Sequence, residues 1–185
     1  MEKKFYTVNV YSENTVGILN QVTNVFTRRQ VNIESLTVSR SSIPGVHKYT
    51  ITATTDEETI AKMVRQIERR IDVLKAFYYL DDEIIFQEIA LYKIPTDKVM
   101  EHGIIEQVVR RYNARILEMN RGYTVIEQTG HNEEIEQLYR DLEPTGILQF
   151  VRSGRISITK SSIERLSNFL AEMEAKRLAS EQSYK

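Results

Sequence analysis

Cysteine and tryptophan are both absent from this sequence of 185 residues. Without cysteine there can be no disulfide, no thiolate metal site and no cysteine nucleophile, and the absence fits a reducing compartment. A large net charge of either sign is also absent, since 25 lysines and arginines balance 26 aspartates and glutamates to within one charge. Proteins that bind nucleic acid usually carry a basic face, so we expect no nucleic-acid partner.

Long apolar segments and glycine-rich loops are missing too. No segment approaches the roughly 20 apolar residues that a membrane-spanning helix needs. The first four residues lead directly into an expected strand, without the apolar core of a signal peptide. Gly17 is the only glycine among the first 44 residues, which excludes a glycine-rich phosphate loop there. The sequence therefore predicts a cytoplasmic protein with no membrane partner.

The histidines form no recognisable metal or catalytic motif. His47, His102 and His131 fall in three different expected elements, and none has a second metal ligand at the four-residue spacing of a helical zinc site. We therefore expect each histidine at the surface or at an interface. The sequence predicts no metal site and no catalytic residue in this chain.

The first half of the chain has the order strand, helix, strand, strand, helix, strand. Tyr6, Val8 and Val10 alternate with polar residues, as in a half-buried strand. Pro44 and Gly45 supply the backbone angles of a type II turn between the second and third strands. Strands are predicted at 5–11, 33–40, 46–54 and 73–79, and helices at 17–29 and 57–71. The residues expected to face the core from the two helices are Leu19, Val22, Val25 and Phe26, then Ile60, Met63, Val64, Ile67 and Ile71.

The second half repeats this order more faintly. Strands are predicted at 84–94, 114–120, 123–129 and 147–151, and helices at 98–112 and 133–142. The predicted fold class is α+β, with two ferredoxin-like βαββαβ domains at 1–80 and 84–160, each an antiparallel sheet with both helices on one face. A short acidic segment at 80–83 joins them. The residues expected in the second core are Ile104, Ile105, Val108, Val109 and Tyr112, then Ile135, Leu138, Tyr139 and Leu142.

Residues 161–185 are predicted to form a separate helical tail. Ser161 and Glu164 have the spacing of a capping box at its start. The apolar stripe of such a helix must cover another surface. The sequence favours packing of this stripe on the second domain of the same chain over packing on a partner subunit. The stripe consists of Ile163, Leu166, Phe169, Leu170 and Met173.

The junction between the first strand and the first helix has the chemistry of a small anion site. Gly17 opens the helix, where backbone amides are unpaired and the helix dipole favours a carboxylate. Asn14 can serve as the N-cap or as a polar contact to a ligand. Asn32 begins the next strand, which we expect beside the first. Taken alone, these residues are explained most simply by a helix cap and a tight entry into the helix.

Two strings around this junction resemble the ACT domain of the regulatory small subunits of acetolactate synthase. Residues 13–19 have the pattern E-N-x-x-G-x-L, and residues 32–38 read N-I-E-S-L-T-V. Residues 86–94, FQEIALYKI, resemble the strand that opens the second domain of that family. The string R-S-G at 152–154 resembles a late element of the family. The resemblance covers about residues 3–160 and implies an N-terminal ACT domain followed by an ACT-like domain.

The resemblance also implies a function. The chain would be a non-catalytic regulatory subunit that activates the catalytic large subunit of acetolactate synthase in branched-chain amino acid synthesis. It would confer feedback inhibition by valine or another branched-chain amino acid, and it would form a homodimer through the ACT domain. No cofactor is expected in this chain, because thiamine diphosphate, magnesium and FAD would belong to the catalytic partner.

The effector site that the resemblance implies lies between two copies of the ACT domain. One copy would contribute the loop between the first strand and the first helix, and the other would contribute the start of the second strand. Val16 and Ile18 replace smaller residues of the family and are expected to be pocket walls. The site residues carried over are Asn14, Val16, Gly17, Ile18 and Leu19 from one chain, with Asn32 and Ile33 from the other.

Other users of the βαββαβ fold fit less well. An RNA-recognition module needs several exposed aromatic residues on its central strands, and the third strand has only Tyr49. An acylphosphatase-like enzyme would need an arginine in the loop that here contains Glu13 and Asn14. A stand-alone ACT-domain sensor that regulates another enzyme or transcription stays open, although no helix offers a basic DNA-reading face.

Overall fold

The computed structural model describes residues 2–101, 108, 110–163 and 165–183. The chain divides into two compact units, one made of 1–85 with 157–185 and the other of 86–156. The structure thus groups 157–185 with the first unit. The sequence had placed 157–160 in the second domain and 161–185 in a separate tail. No helix within the described ranges is long and apolar enough to cross a membrane.

The first unit contains a four-stranded antiparallel sheet in the order β2-β3-β1-β4. Among the described strands, β2 pairs with β3 alone and lies at the edge of the sheet. The expectation that the strand after Asn32 lies beside the first strand was therefore wrong, because β3 takes that position. The elements are β1 (Lys4–Glu13), α1 (Ile18–Arg28), β2 (Ser35–Arg40), β3 (Val46–Thr55), α2 (Glu57–Glu68) and β4 (Val73–Tyr79).

The core of this unit lies between one face of the sheet and the two helices. Ile18 begins the buried stripe of α1 and is fully buried, whereas Leu19 is 43% exposed. The prediction that Leu19 faces the core was wrong, because the stripe starts one residue earlier. Ile71 was also predicted to be buried and is 98% exposed, since α2 ends at Glu68 before the turn that carries it. The helix residues that do line the core are Ile18, Val22, Val25, Phe26, Ile60, Met63, Val64 and Ile67.

The second unit repeats the strand arrangement, with the order β6-β7-β5-β8. This repetition confirms the predicted pair of ferredoxin-like α+β folds. Val108 is buried in the second core, while the predicted core residues Ile104, Ile105 and Val109 lie outside the described residues, as does His102. The elements are β5 (Ile84–Pro95), α3 (Thr96–Glu101), β6 (Arg115–Met119), β7 (Tyr123–Gly130), α4 (Asn132–Leu142) and β8 (Gln149–Arg152).

The end of the chain adds a strand, β9 (Ile156–Thr159), and a helix, α5 (Arg165–Ser183). Leu166 is buried, and the Phe169 ring lies 5.4 Å from the Lys75 ammonium of β4. The predicted packing of the tail on the second domain was therefore wrong for Phe169, which contacts the first unit. Ile163 and Met173 of the predicted stripe are exposed. Glu164, and with it the capping box, lies outside the described residues.

Candidate effector site

The loop between β1 and α1 turns sharply at Gly17. The residue has φ +92°, a left-handed conformation that side chains rarely tolerate, and it is the N-cap of α1. The prediction of Asn14 as N-cap was wrong, because the cap position is Gly17 and no side chain bonds to the helix end. Asn14 instead donates its backbone N–H to the carbonyl oxygen of Gly45 at 3.1 Å. This bond ties the loop to the turn between β2 and β3.

Several backbone donors of this loop are unpaired. The Ile18 N–H reaches the Thr15 oxygen at 3.5 Å, and the Gln21 N–H bonds to the Gly17 oxygen at 3.1 Å. Within the described ranges, no hydrogen bond is made by the backbone N–H of Val16, Gly17, Leu19 or Asn20. These groups lie at the positive end of the helix dipole, so they can bind a carboxylate. A Cβ at Gly17 would meet nothing within 4 Å, so the space above the loop is open.

The side chains of the loop divide into two groups. Val16 is fully exposed and Leu19 partly exposed, so both can contact a ligand. Ile18 points into the core, and the expectation that its side chain is a pocket wall was therefore wrong. Only the backbone of Ile18 remains at the loop.

The other two predicted residues, Asn32 and Ile33, precede β2 at the edge of the sheet. Asn32 is exposed and Ile33 is half-buried against the first core. The structure does not gather all seven predicted residues in one enclosed cavity of a single chain. Five lie within residues 14–19 around the loop, and these two lie after α1.

A groove beside the loop contains residues that the sequence reasoning missed. It encloses about 310 Å³ between Asn14 and the β2–β3 hairpin. Arg40 and His47, which face each other across the two strands, line it and bring basic groups close to Asn14. The cross-strand register of the hairpin could have suggested this pair, but the register depends on where β2 ends.

The motifs of the second unit serve its packing. Arg152 of the R-S-G string lies with its Nε 3.4 Å from Glu88, a nearly buried carboxylate on β5. Arg155 is also buried and stacks 3.7 Å from the ring of Phe86. The two strings that carried the resemblance in this half of the chain therefore meet in one cluster.

Tyr92 is a buried titratable group whose hydroxyl has a structural role in the second core. Burial, followed by the charge of Glu136, raises the pKa of its hydroxyl well above the usual range. The hydroxyl donates to the Ile135 carbonyl oxygen at 2.8 Å, which satisfies it inside the second core. Among the described residues no group of histidine, aspartate and glutamate could hold a metal ion.

Comparisons with known proteins agree along the chain. A family model for the "AHAS small subunit-like ACT domain" matches residues 8–75, and one for the "Small subunit of acetolactate synthase" matches residues 87–161. The acetolactate synthase small subunit of Bacillus subtilis is 31% identical over 170 residues, which are 90% of this chain and 95% of that protein. That of Mycolicibacterium smegmatis is 30% identical over 155 residues, covering 84% and 91%. The crystal structure of the acetolactate synthase small subunit from Thermotoga maritima matches with a TM-score of 0.78 and 26% identity, covering 86% of this chain and 99% of that one.

Proposed function

Because the chain belongs to the family of acetolactate synthase small subunits, we propose that it activates a catalytic large subunit and makes that enzyme sensitive to valine. Matches in both halves of the chain support this regulatory role over a stand-alone sensor, which would need only the first domain. The observation that carries the proposed effector site is the set of unpaired amides beside Gly17. Thiamine diphosphate, magnesium and FAD belong, in this proposal, to the catalytic partner.

The chemistry of the loop suits an amino acid with a small apolar side chain. Its carboxylate would accept charge-assisted hydrogen bonds from the amides at the start of α1. Its side chain would lie against Val16 and Leu19, the two exposed apolar residues of the loop. Valine fits because it combines a carboxylate with a compact branched side chain.

A second copy of the chain would complete the site. Strand β2 is an edge strand, and the unpaired backbone groups of an edge favour pairing with another strand. Asn32 and Ile33 are separated from this edge strand by one residue, so pairing through it would bring them from one copy toward the loop of the other. The side-chain amide of Asn32 would then bind the polar part of the effector.

Regulation through such a site needs no catalytic group. An effector shifts the catalytic partner only if it binds one conformation of the complex more tightly than another. A coupling of about 1–3 kcal/mol changes the affinity about 5- to 150-fold. Binding at the interface of two copies is a direct way to obtain this difference, because the relative placement of the copies then changes the contacts made with the ligand.

Gly17→Asp tests the site. We expect the variant to keep activating the catalytic subunit but to need at least about tenfold more valine for half inhibition, because the new carboxylate occupies the position of the ligand's own. Acetolactate formation by the reconstituted complex, measured against valine concentration, provides the readout. Gly146→Asp is the matched control, since Gly146 also has a positive φ, +78°, with open space around it, but lies in the second unit.

Retained valine inhibition in Gly17→Asp, equal to that of Gly146→Asp, would rule out the site. Failure of the wild-type chain to activate or bind the catalytic subunit, with amino-acid binding intact, would favour the alternative of a sensor that regulates another enzyme or transcription.

A further inference from the structure

The groove at the turn between β2 and β3, called here the hairpin groove, lies beside the loop at Gly17 and has no role in the effector site proposed above. Of the seven predicted effector residues, Asn14 alone is among its described lining residues. Its volume of about 310 Å³ is sufficient for a small ligand. All of its described lining residues belong to the first unit.

Arg40 and His47 face each other in the hairpin groove. They are directly opposite in the pairing of β2 with β3, and the Cβ atoms of such side chains lie about 5 Å apart. His47 lies two residues before Tyr49, which is buried in the first core, so strand alternation places both basic side chains on the face of the sheet that carries α1. The groove therefore opens on the same face as the loop at Gly17.

The charge of the hairpin groove is positive and is not cancelled by an ion pair. Within the described ranges, the Arg40 guanidinium and the His47 ring form no hydrogen bond, ion pair or ring contact. No described residue of the groove wall is aspartate or glutamate, and the first turn of α1 has no acidic residue either. Strand alternation places Glu13, which precedes Asn14, on the outer face of the sheet, the face turned away from α1 and α2. Because arginine stays charged at neutral pH, the groove attracts anions.

Neutral donors add to the wall of the groove. Asn14 and Gly45 both line it, and in the part of the chain that the structure describes neither the Asn14 side-chain amide nor the Gly45 backbone N–H makes a hydrogen bond. The backbone around these donors is held in place. The Asn14 N–H bonds to the Gly45 oxygen at 3.1 Å, and the Val46 N–H bonds to the Ile43 oxygen at 3.1 Å. Donors that are already positioned lose little conformational entropy when a ligand binds.

We propose that the hairpin groove binds a small anion, a carboxylate or a phosphate, between Arg40 and His47. The planar guanidinium of Arg40 can donate two parallel hydrogen bonds to either group, and a ring nitrogen of His47 can donate a third. An anion also relieves the unfavourable placement of two basic side chains directly opposite each other. Because Asn14 belongs to both the groove and the loop at Gly17, the bound anion would hold the β2–β3 hairpin against this loop.

Calorimetric titrations of the full chain with succinate and with inorganic phosphate test the proposal. We expect saturable binding of at least one probe, weakened by added sodium chloride because exposed charges are screened. Arg40→Gln should weaken this binding about tenfold or more, since charge-assisted hydrogen bonds are lost, and His47→Gln should weaken it as well. The matched control is Arg65→Gln, which removes an exposed arginine from the last turn of α2 and should leave the affinity unchanged.

Binding of one probe only identifies the class of the anion and supports the proposal. Absence of binding for both probes, or equal affinity in Arg40→Gln and Arg65→Gln, overturns it. Binding that is lost in Gly17→Asp and unaffected in Arg40→Gln would assign the anion to the start of α1 and overturn it too. If His47→Gln unfolds by circular dichroism, Arg40→Gln and Arg40→Lys decide alone. Arg40→Lys should have intermediate affinity, because lysine keeps the charge without the planar pair of donors.

These titrations contain no valine, so failure of the anion site leaves the proposed effector site untouched. Loss of valine inhibition in Gly17→Asp, with anion binding retained, would in turn support both sites separately.

Discussion

Single residues determine the backbone conformation at the start of α1 and which side chain there faces the core. Gly17 could be predicted from the sequence because a lone glycine between a strand and an apolar helix marks a special backbone conformation. The sequence could not decide whether Ile18 or Leu19 faces the core, since both are large and apolar. A shift of one residue turns a side chain by about 100° around the helix, and the structure places Ile18 inward. The same shift turns Leu19 toward the open side of the loop.

Substitutions at Ile18 and Val16 should therefore differ strongly in their effect on the free energy of unfolding. Ile18→Ala should lower the free energy of unfolding by about 2–5 kcal/mol, because it removes a fully buried side chain from the first core. Val16→Ala should change it by no more than about 0.5 kcal/mol, because this side chain is fully exposed. Urea denaturation of both variants measures the difference. Equal destabilisation by the two would contradict the register of α1.

At the scale of elements, a strand whose apolar residues alternate and face the core could be predicted from the sequence. A strand whose apolar residues are exposed could not. In β1, apolar residues face the core in alternation, and the predicted strand at 5–11 lies within the observed Lys4–Glu13. Strand β9 has the opposite pattern. Its Ile156 and Ile158 are exposed, while Ser157 between them is buried against Asn9. A strand of four residues with its two apolar side chains exposed gives no periodic signal in the sequence. The sequence analysis therefore did not predict β9.

The start of α2 makes the stability depend on pH. Asp56 accepts the Thr59 backbone N–H at 2.9 Å and the Thr59 hydroxyl at 2.8 Å. The bond from the backbone N–H, followed by that from the hydroxyl, lowers the pKa of Asp56 below its ordinary value. A carboxyl with a lower pKa in the folded state stabilises that state above its unfolded pKa, about 3.9, and loses this contribution as the pH falls through the folded value.

Asp56→Ser should separate the charge from the cap. Serine also caps helices but does not titrate, so the wild-type chain should be more stable than Asp56→Ser at pH 7, and this advantage should shrink below about pH 4. Thermal unfolding from pH 7 to pH 3 measures it, with Asp82→Ser as a control at an exposed aspartate elsewhere. A stability difference that stays constant over this range would contradict the assigned role of Asp56.

At the scale of the whole molecule, the repeated fold could be predicted but the association of the chain's end with the first unit could not. An amphipathic stripe shows that a helix covers something and does not identify the surface. The outer face of the first sheet carries polar residues, Thr7, Asn9, Thr50 and Thr52, which normally indicate contact with solvent. In the structure all four are buried. Asn9, for example, is hydrogen-bonded to Ser157 near the other end of the chain, a long-range contact that no local pattern encodes.

In our proposal, the effector site is formed by two copies of the chain. The loop at Gly17 offers donors and apolar contacts, but the predicted partners Asn32 and Ile33 lie apart from it after α1. We therefore propose that a second copy, joined through the edge strand β2, completes the site. Loss of the Asn32 side chain should then weaken binding of the effector without changing the fold of either unit.

The most direct test is a calorimetric titration of valine into the full chain, repeated with Asn32→Ala and with the control Asn24→Ala, which changes an exposed asparagine further along α1. We expect saturable binding near one valine per chain, about tenfold weaker in Asn32→Ala because a polar contact to the ligand is lost, and unchanged in Asn24→Ala. Absence of valine binding to the wild-type chain, or equal affinity in all three proteins, would contradict it.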